Sequence, residues 1–95
     1  MERALETNGS VAMWPNPVNN GRVNLLLNGL GEGTHQVSVD LFDLSGKRLM
    51  AEQFNNDGDV FNTVLDLNES IAAGTYMVQI TVDGQRHIER LNVTH

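Results

Sequence analysis

Cysteine is absent from the 95 residues, which excludes disulfides, thiolate metal sites and cysteine nucleophiles and leaves no redox compartment to infer from pairing. Basic residues are scarce. Six Lys and Arg stand against twelve Asp and Glu, and the net charge of -6 repels phosphate backbones and anionic lipid heads, so nucleic acid is not an expected partner. Membrane insertion is not expected either, because no run approaches the ~20 apolar residues that span a bilayer. The opening Met1-Glu2-Arg3-Ala4-Leu5-Glu6-Thr7 lacks the apolar middle of a signal peptide. Aromatics are few, with one Trp, one Tyr and three Phe, most of which a core requires. Helical periodicity is missing as well, since no window repeats its apolar residues at 3.6.

What is present is alternation. Apolar residues recur at every second position nearly throughout, the period of half-buried strands, and a composition 40% hydrophobic and 19% charged belongs to an ordered domain. Residues 1–10 read as a linker remnant and residues 11–95 as one folded domain. Val11 to Trp14 is a short first strand, stopped by Pro15-Asn16-Pro17, where fixed φ angles and missing N–H donors forbid a ladder. Val23, Leu25 and Leu27 mark a second strand and Val37, Val39 and Leu41 a third. Asp43-Leu44-Ser45-Gly46 forms a compact turn in which the Asp side chain bonds backbone N–H groups ahead of it. A fourth strand runs from Lys47 to Phe54, ended by the turn residues Asn55 to Asp59. A fifth covers Val60 to Leu67. Tyr76, Val78, Ile80 and Val82 form a sixth, and Asp83-Gly84 is a two-residue hairpin turn into a seventh. In that last strand Ile88 is out of phase with Leu91 and Val93, which predicts a bulge or register change near Glu89-Arg90.

About seven short antiparallel strands with turns at roughly 8 to 12 residue spacing predict an all-β, immunoglobulin-like sandwich. Leu67 followed by Ile71-Ala72-Ala73-Gly74-Thr75-Tyr76 fits the corner of such sandwiches, in which a Tyr hydroxyl returns to the backbone just upstream.

Chemistry has little to stand on. His35, His87 and His95 lack the clustered partners that a metal or catalytic site requires and read as exposed strand histidines. Asp57-Gly58-Asp59 offers oxygen ligands but not the spacing or distal Glu of an EF-hand, and reads as a turn. Ser45 beside Asp43 has no base and no nucleophile elbow. No catalytic residue, metal or cofactor is expected. Trp14 and Tyr76 are the residues that can stack on sugars, and they keep open an alternative reading as an accessory adhesion module for glycan or protein.

Four segments, in order, resemble the type A C-terminal sorting domain of the type IX secretion system of Gram-negative bacteria. They are Pro15-Asn16-Pro17 after a short strand; Val39 to Arg48, with Asp43, Gly46 and Lys47 in the places of D-x-x-G and the basic residue behind it; Leu65-Asp66-Leu67 followed by Ala73 to Ile80, with Gly74 and Tyr76 in the places of the L-x-x-G-x-Y segment; and a terminal strand holding Arg90-Leu91-Asn92-Val93. The ending Val93-Thr94-His95 is less basic than the family's. The resemblance implies a non-catalytic export address for a cargo joined N-terminally, the signal peptide lying upstream. It implies passage through the periplasm to the cell surface or exterior, with the secretion translocon and a sortase-like signal peptidase as partners. The late hairpin, with Arg86 and Arg90, is the one locally basic segment and the expected place of recognition.

Overall fold

Val37, Val39 and Leu41 form the buried face of the strand around which one half of the molecule is organised, and their alternation with Gln36, Ser38 and Asp40 places the polar side chains on its wet face. The computed structural model describes residues 2–4, 9–67 and 71–94. They form β1 (Glu2–Ala4), β2 (Ser10–Trp14), β3 (Arg22–Asn28), β4 (Thr34–Phe42), β5 (Arg48–Asp57), β6 (Phe61–Asp66), β7 (Gly74–Val82) and β8 (Gln85–Val93). All neighbouring strands are antiparallel and lie in two sheets, β1-β2-β3-β6 and β5-β4-β7-β8. The expected sandwich is present, and no described helix is long and apolar enough to cross a membrane.

The core lies between the sheets. Val11, Met13, Val23, Leu25, Leu27, Phe61 and Leu65 meet Val37, Val39, Leu41, Val78, Ile80, Leu91 and Val93, while Val18, Leu67 and Ile71 close the ends from the connections. Both Asp83 and Gly84 have positive φ, 49° and 88°, the conformation a two-residue hairpin turn requires, and Val82 pairs with Gln85 across it.

Within the opening segment Glu2–Ala4 form β1, which pairs Glu2 with Ala12 and Ala4 with Ser10; main-chain pairing needs no side-chain pattern, so alternation could not announce it. Two expectations are corrected. β5 continues through Asn55, Asn56 and Asp57 where a turn was expected. Each of them has a cross-strand partner, Gln36, His35 and Thr34, and Thr34 donates its hydroxyl to Asp57 Oδ1 at 2.7 Å. β8 has no bulge. Its register against β7 is unbroken from Gln85 to Val93, with Ile88 turned outward at 53% exposure and Glu89 inward at 8%. The reading of a register change assumed that Ile88 belonged inside, whereas the strand keeps phase by burying the stem of Glu89, whose Oε1 lies 3.3 Å from His87 Nε2. The register shift lies instead between Leu41 and Phe42 of β4, opposite Met50 and Arg48, which leaves Leu49 as the extra residue on β5.

Candidate recognition surface

Asn16 is the residue at which two of the segments singled out in the sequence meet, the proline segment and the terminal strand. Flanked by prolines that cannot donate to a ladder, it sits beside β8 and replaces a strand with its side chain: Nδ2 donates to Arg90 O at 3.1 Å, and Oδ1 accepts from Asn92 N–H at 3.0 Å. Two residues on, buried Val18 continues the same edge with backbone alone. Its N–H donates to Asn92 O and its carbonyl accepts from Thr94 N–H, both at 2.7 Å, in a parallel bridge to Val93. Pro15-Asn16-Pro17-Val18 therefore clasps the C-terminal half of β8 and ties the start of the domain to its last strand. The two prolines are exposed.

Asp43 and Gly46 close a turn. Asp43 Oδ1 accepts from Ser45 N–H (2.9 Å), Ser45 Oγ–H (2.6 Å) and Lys47 N–H (3.0 Å), and Gly46 holds φ at 91°, where a side chain would be strained. The Ser45 hydroxyl and then the Lys47 N–H hold the Asp43 carboxyl below the ordinary 3.8. With its oxygen committed to three donors, Asp43 shapes the loop that presents exposed Leu44 and Lys47. Tyr76 is buried, and its hydroxyl donates to Ala72 O at 2.6 Å, forming the corner. Gly74 opens β7 opposite Val93.

Arg86 and Arg90 lie on β8 with Ile88 between them, on the outward face of the sheet. Both are exposed, and neither has an ion-pair partner among the described residues, whereas Arg22 pairs with Asp66 and Arg48 with Asp40. The structure thus joins Pro15, Asn16, Pro17 and Arg90 along one edge, with Arg86 further up the same strand. The Asp43–Lys47 turn, following β4, and the Gly74–Tyr76 corner are supports placed elsewhere.

Sequence reasoning missed His35. Read as an exposed strand residue, it is 7% exposed, its Nδ1 lies 2.6 Å from Asp83 Oδ2, and its Nε2 lies 3.0 Å from Gly31 O. Both ring nitrogens face acceptors, so the doubly protonated ring is favoured, and Asp83 above all raises the His35 pKa from its ordinary 6.5. Asp83 also accepts from Gln36 N–H at 3.0 Å, and His35, then Gln36, lower its carboxyl from 3.8. The signal that finds this pair is topological: β4 pairs Val37 with Val82, which brings the hairpin turn to the first residues of β4. His95 lies outside the described residues.

Asp57 and Asp59 are engaged within the fold, Asp57 by Thr34 and Asp59 by Gly31 N–H at 2.9 Å. No group of three or more His, Asp or Glu side chains among the described residues is placed to hold a metal ion. Trp14 is exposed on the outer face of its sheet while Tyr76 is in the core, so the two do not form one stacking platform.

A family model described as "Secretion system C-terminal sorting domain" matches residues 12–94. Among solved structures, the chain is similar to dimeric latent PorU from Porphyromonas gingivalis, with a TM-score of 0.69 and 18% identity over 90% of this chain, a likeness of fold. The chain spans 9% of that protein's length. No curated protein matches.

Proposed function

The chain belongs to the family of secretion system C-terminal sorting domains, and from that membership we propose that residues 11–95 are the folded address of a cargo polypeptide, joined through residues 1–10 and read by the type IX secretion machinery. Domains of this family are generally non-catalytic and direct their proteins to the cell surface or exterior. Passage through the periplasm, release by a sortase-like signal peptidase and the absence of any activity of this chain's own complete the reading.

One observation carries it. The proline segment and the terminal strand, first and last of the four family-like motifs, meet through Asn16. Motifs at opposite ends of the chain thereby become one surface, as an address read in the folded state requires. In this reading Pro15, Asn16, Pro17, Asp43, Gly46, Gly74 and Tyr76 shape the domain, and Lys47, Arg86 and Arg90 are the exposed charges that a partner meets. The family match favours this over an adhesion module, which would need the aromatic platform that Trp14 and Tyr76 do not form.

The test fuses the full chain to a periplasmic reporter in a bacterium that has the secretion system. Reporter bearing the domain should reach the exterior, and reporter without it should stay inside, folded and active. Equal export with and without the domain, together with weaker surface attachment when it is missing, would make it an adhesion module instead.

A further inference from the structure

β8 is the last strand of its sheet, and its open edge is only half covered. Along an antiparallel strand, N–H and C=O groups point alternately toward the neighbour and away from it. The bonds from Arg90 O, Asn92 N–H, Asn92 O and Thr94 N–H to Asn16 and Val18 identify the even-numbered residues of β8 as those facing away from β7. By the same parity the N–H and C=O of Arg86 and of Ile88, and the N–H of Arg90, face the open edge, and no described residue bonds them. The chain reaches this edge only after β2 ends at Trp14, so the covering begins with Asn16 and extends no further up β8 than Arg90.

The side chains over the open half are of one character. Arg86 and Arg90, both exposed and without ion-pair partners among the described residues, flank Ile88 on one face. At about 3.3 Å per residue the two arginines stand roughly 13 Å apart, the span between residues i and i+4 of a strand laid alongside. This is a positive edge on a body of net charge -6, whereas the opposite edge of the same sheet, β5, carries Glu52 and Asp57 along with Arg48. Long uncovered edges are liabilities that folds ordinarily blunt, and here the clasp blunts only the C-terminal half.

We infer that the Arg86–Arg90 edge of β8 is a strand-addition site for an extended acidic peptide segment with the pattern acid-x-apolar-x-acid. Its main chain pairs with the free groups of Arg86 and Ile88, its apolar residue covers Ile88, and its two carboxylates meet Arg86 and Arg90. Main-chain pairing supplies the docking and the charge spacing supplies the selection. The clasp sets the register, because the incoming strand can extend only as far as Asn16.

The purified full chain and a synthetic peptide, Thr-Glu-Thr-Val-Thr-Glu-Thr, suffice to test this independently of export. In the free protein the amide protons of Arg86 and Ile88 should exchange with solvent at least tenfold faster than those of Asn92 and Thr94, which are bonded to Asn16 and Val18. Adding millimolar peptide should slow Arg86 and Ile88 at least fivefold and leave Asn92 and Thr94 unchanged. The same peptide with its two Glu replaced by Lys should fail on the parent chain and bind the R86E/R90E double variant, whose unchanged melting temperature certifies its fold. The proposal is overturned by slow exchange of Arg86 and Ile88 in the free protein, by no binding at millimolar peptide, by binding that leaves both amides unprotected and so rests on charge alone, or by protection at β5 instead. Loss of reporter export with intact peptide binding would count against the sorting function and leave this site standing.

Discussion

Replacing Asn16 with Ala separates the clasp from everything else the proline segment does. The substitution keeps both prolines and the Val18 bridge but deletes the donor to Arg90 O and the acceptor for Asn92 N–H. A net hydrogen bond contributes about 0.5 to 1.5 kcal/mol, and a donor left unsatisfied away from water costs about 1 to 3. The Asn92 bond is only partly buried and the Arg90 bond is exposed, so water recovers part of the loss. The expected cost is therefore about 1 to 2.5 kcal/mol, the lower end if water reaches Asn92 N–H freely. For a domain of this size each kcal/mol corresponds to roughly 4 to 8 °C of melting temperature. Urea melts of parent and variant measure the free energy, and equal slopes show that both expose the same surface on unfolding, so that the midpoint shift reads as a change in stability. Asn16→Asp is the informative companion. It keeps the acceptor for Asn92 but sets a carboxylate against Arg90 O, so it should also destabilise at pH 7 and recover part of the loss as its carboxyl protonates. An Asn16→Ala midpoint equal to the parent's would refute the clasp, since two bonds of this geometry cannot both be worthless.

Three further outcomes are expected. Tyr76→Phe should cost about 1 to 2 kcal/mol in the same urea melts, because it leaves Ala72 O without the hydroxyl at 2.6 Å, and an unchanged midpoint would remove the corner as a stabilising feature. The His35–Asp83 pair makes stability depend on pH from both sides. With the His35 pKa raised above 6.5, its contribution is fully present below 6.5 and is lost as pH rises through the higher folded value; with the Asp83 pKa lowered below 3.8, its contribution is present above 3.8 and is lost as pH falls through the lower folded value. Melting temperatures from pH 5 to 9 should thus decline more steeply for the parent than for His35→Gln, and parallel curves would refute the charged pair. Calcium and chelator should leave the melting temperature unchanged, since Asp43, Asp57 and Asp59 already accept hydrogen bonds from the fold; a rise of several degrees with calcium would reveal a cation site.

Local signals were legible and non-local ones were not. Val37, Val39 and Leu41, like Val23, Leu25 and Leu27, declare their strand and its buried face by spacing alone, and Asp83-Gly84 declares its turn because few other residues accept positive φ twice. The Tyr76 corner was readable because donor and acceptor lie four residues apart. Asn16 could be singled out from its flanking prolines, but its partners lie 74 and 76 residues away and only the closed sandwich brings them near. His35 and Asp83 are separated by 48 residues and meet through the β4–β7 register. At Ile88 and Glu89 the local signal misled: hydrophobicity assigned Ile88 inward, while the strand's continuity, a property of every β7–β8 pair, held it out.

That inversion matters for how an address can be written on a strand the fold needs. Leu91 and Val93 are core residues, Asn92 and Thr94 hold the clasp, and Glu89 is buried, so removing Arg86 through His95 deletes a strand, two core side chains and the anchors of Asn16 and Val18 together. Losing even two large core side chains costs about 4 to 8 kcal/mol, comparable to the whole stability of a domain of this size at roughly 0.05 to 0.15 kcal/mol per residue. A truncated chain would fail export through unfolding, whatever the machinery reads. Substitution at the outward positions does not carry that ambiguity. Because strand side chains alternate, Arg86, Ile88 and Arg90 occupy one face while Glu89, Leu91 and Val93 hold the other, and exposed substitutions of this kind usually change stability by less than about 0.5 kcal/mol. The period of two thus lets one strand carry two kinds of information, and a partner that reads only the outward set can be tested against a fold maintained by the inward set.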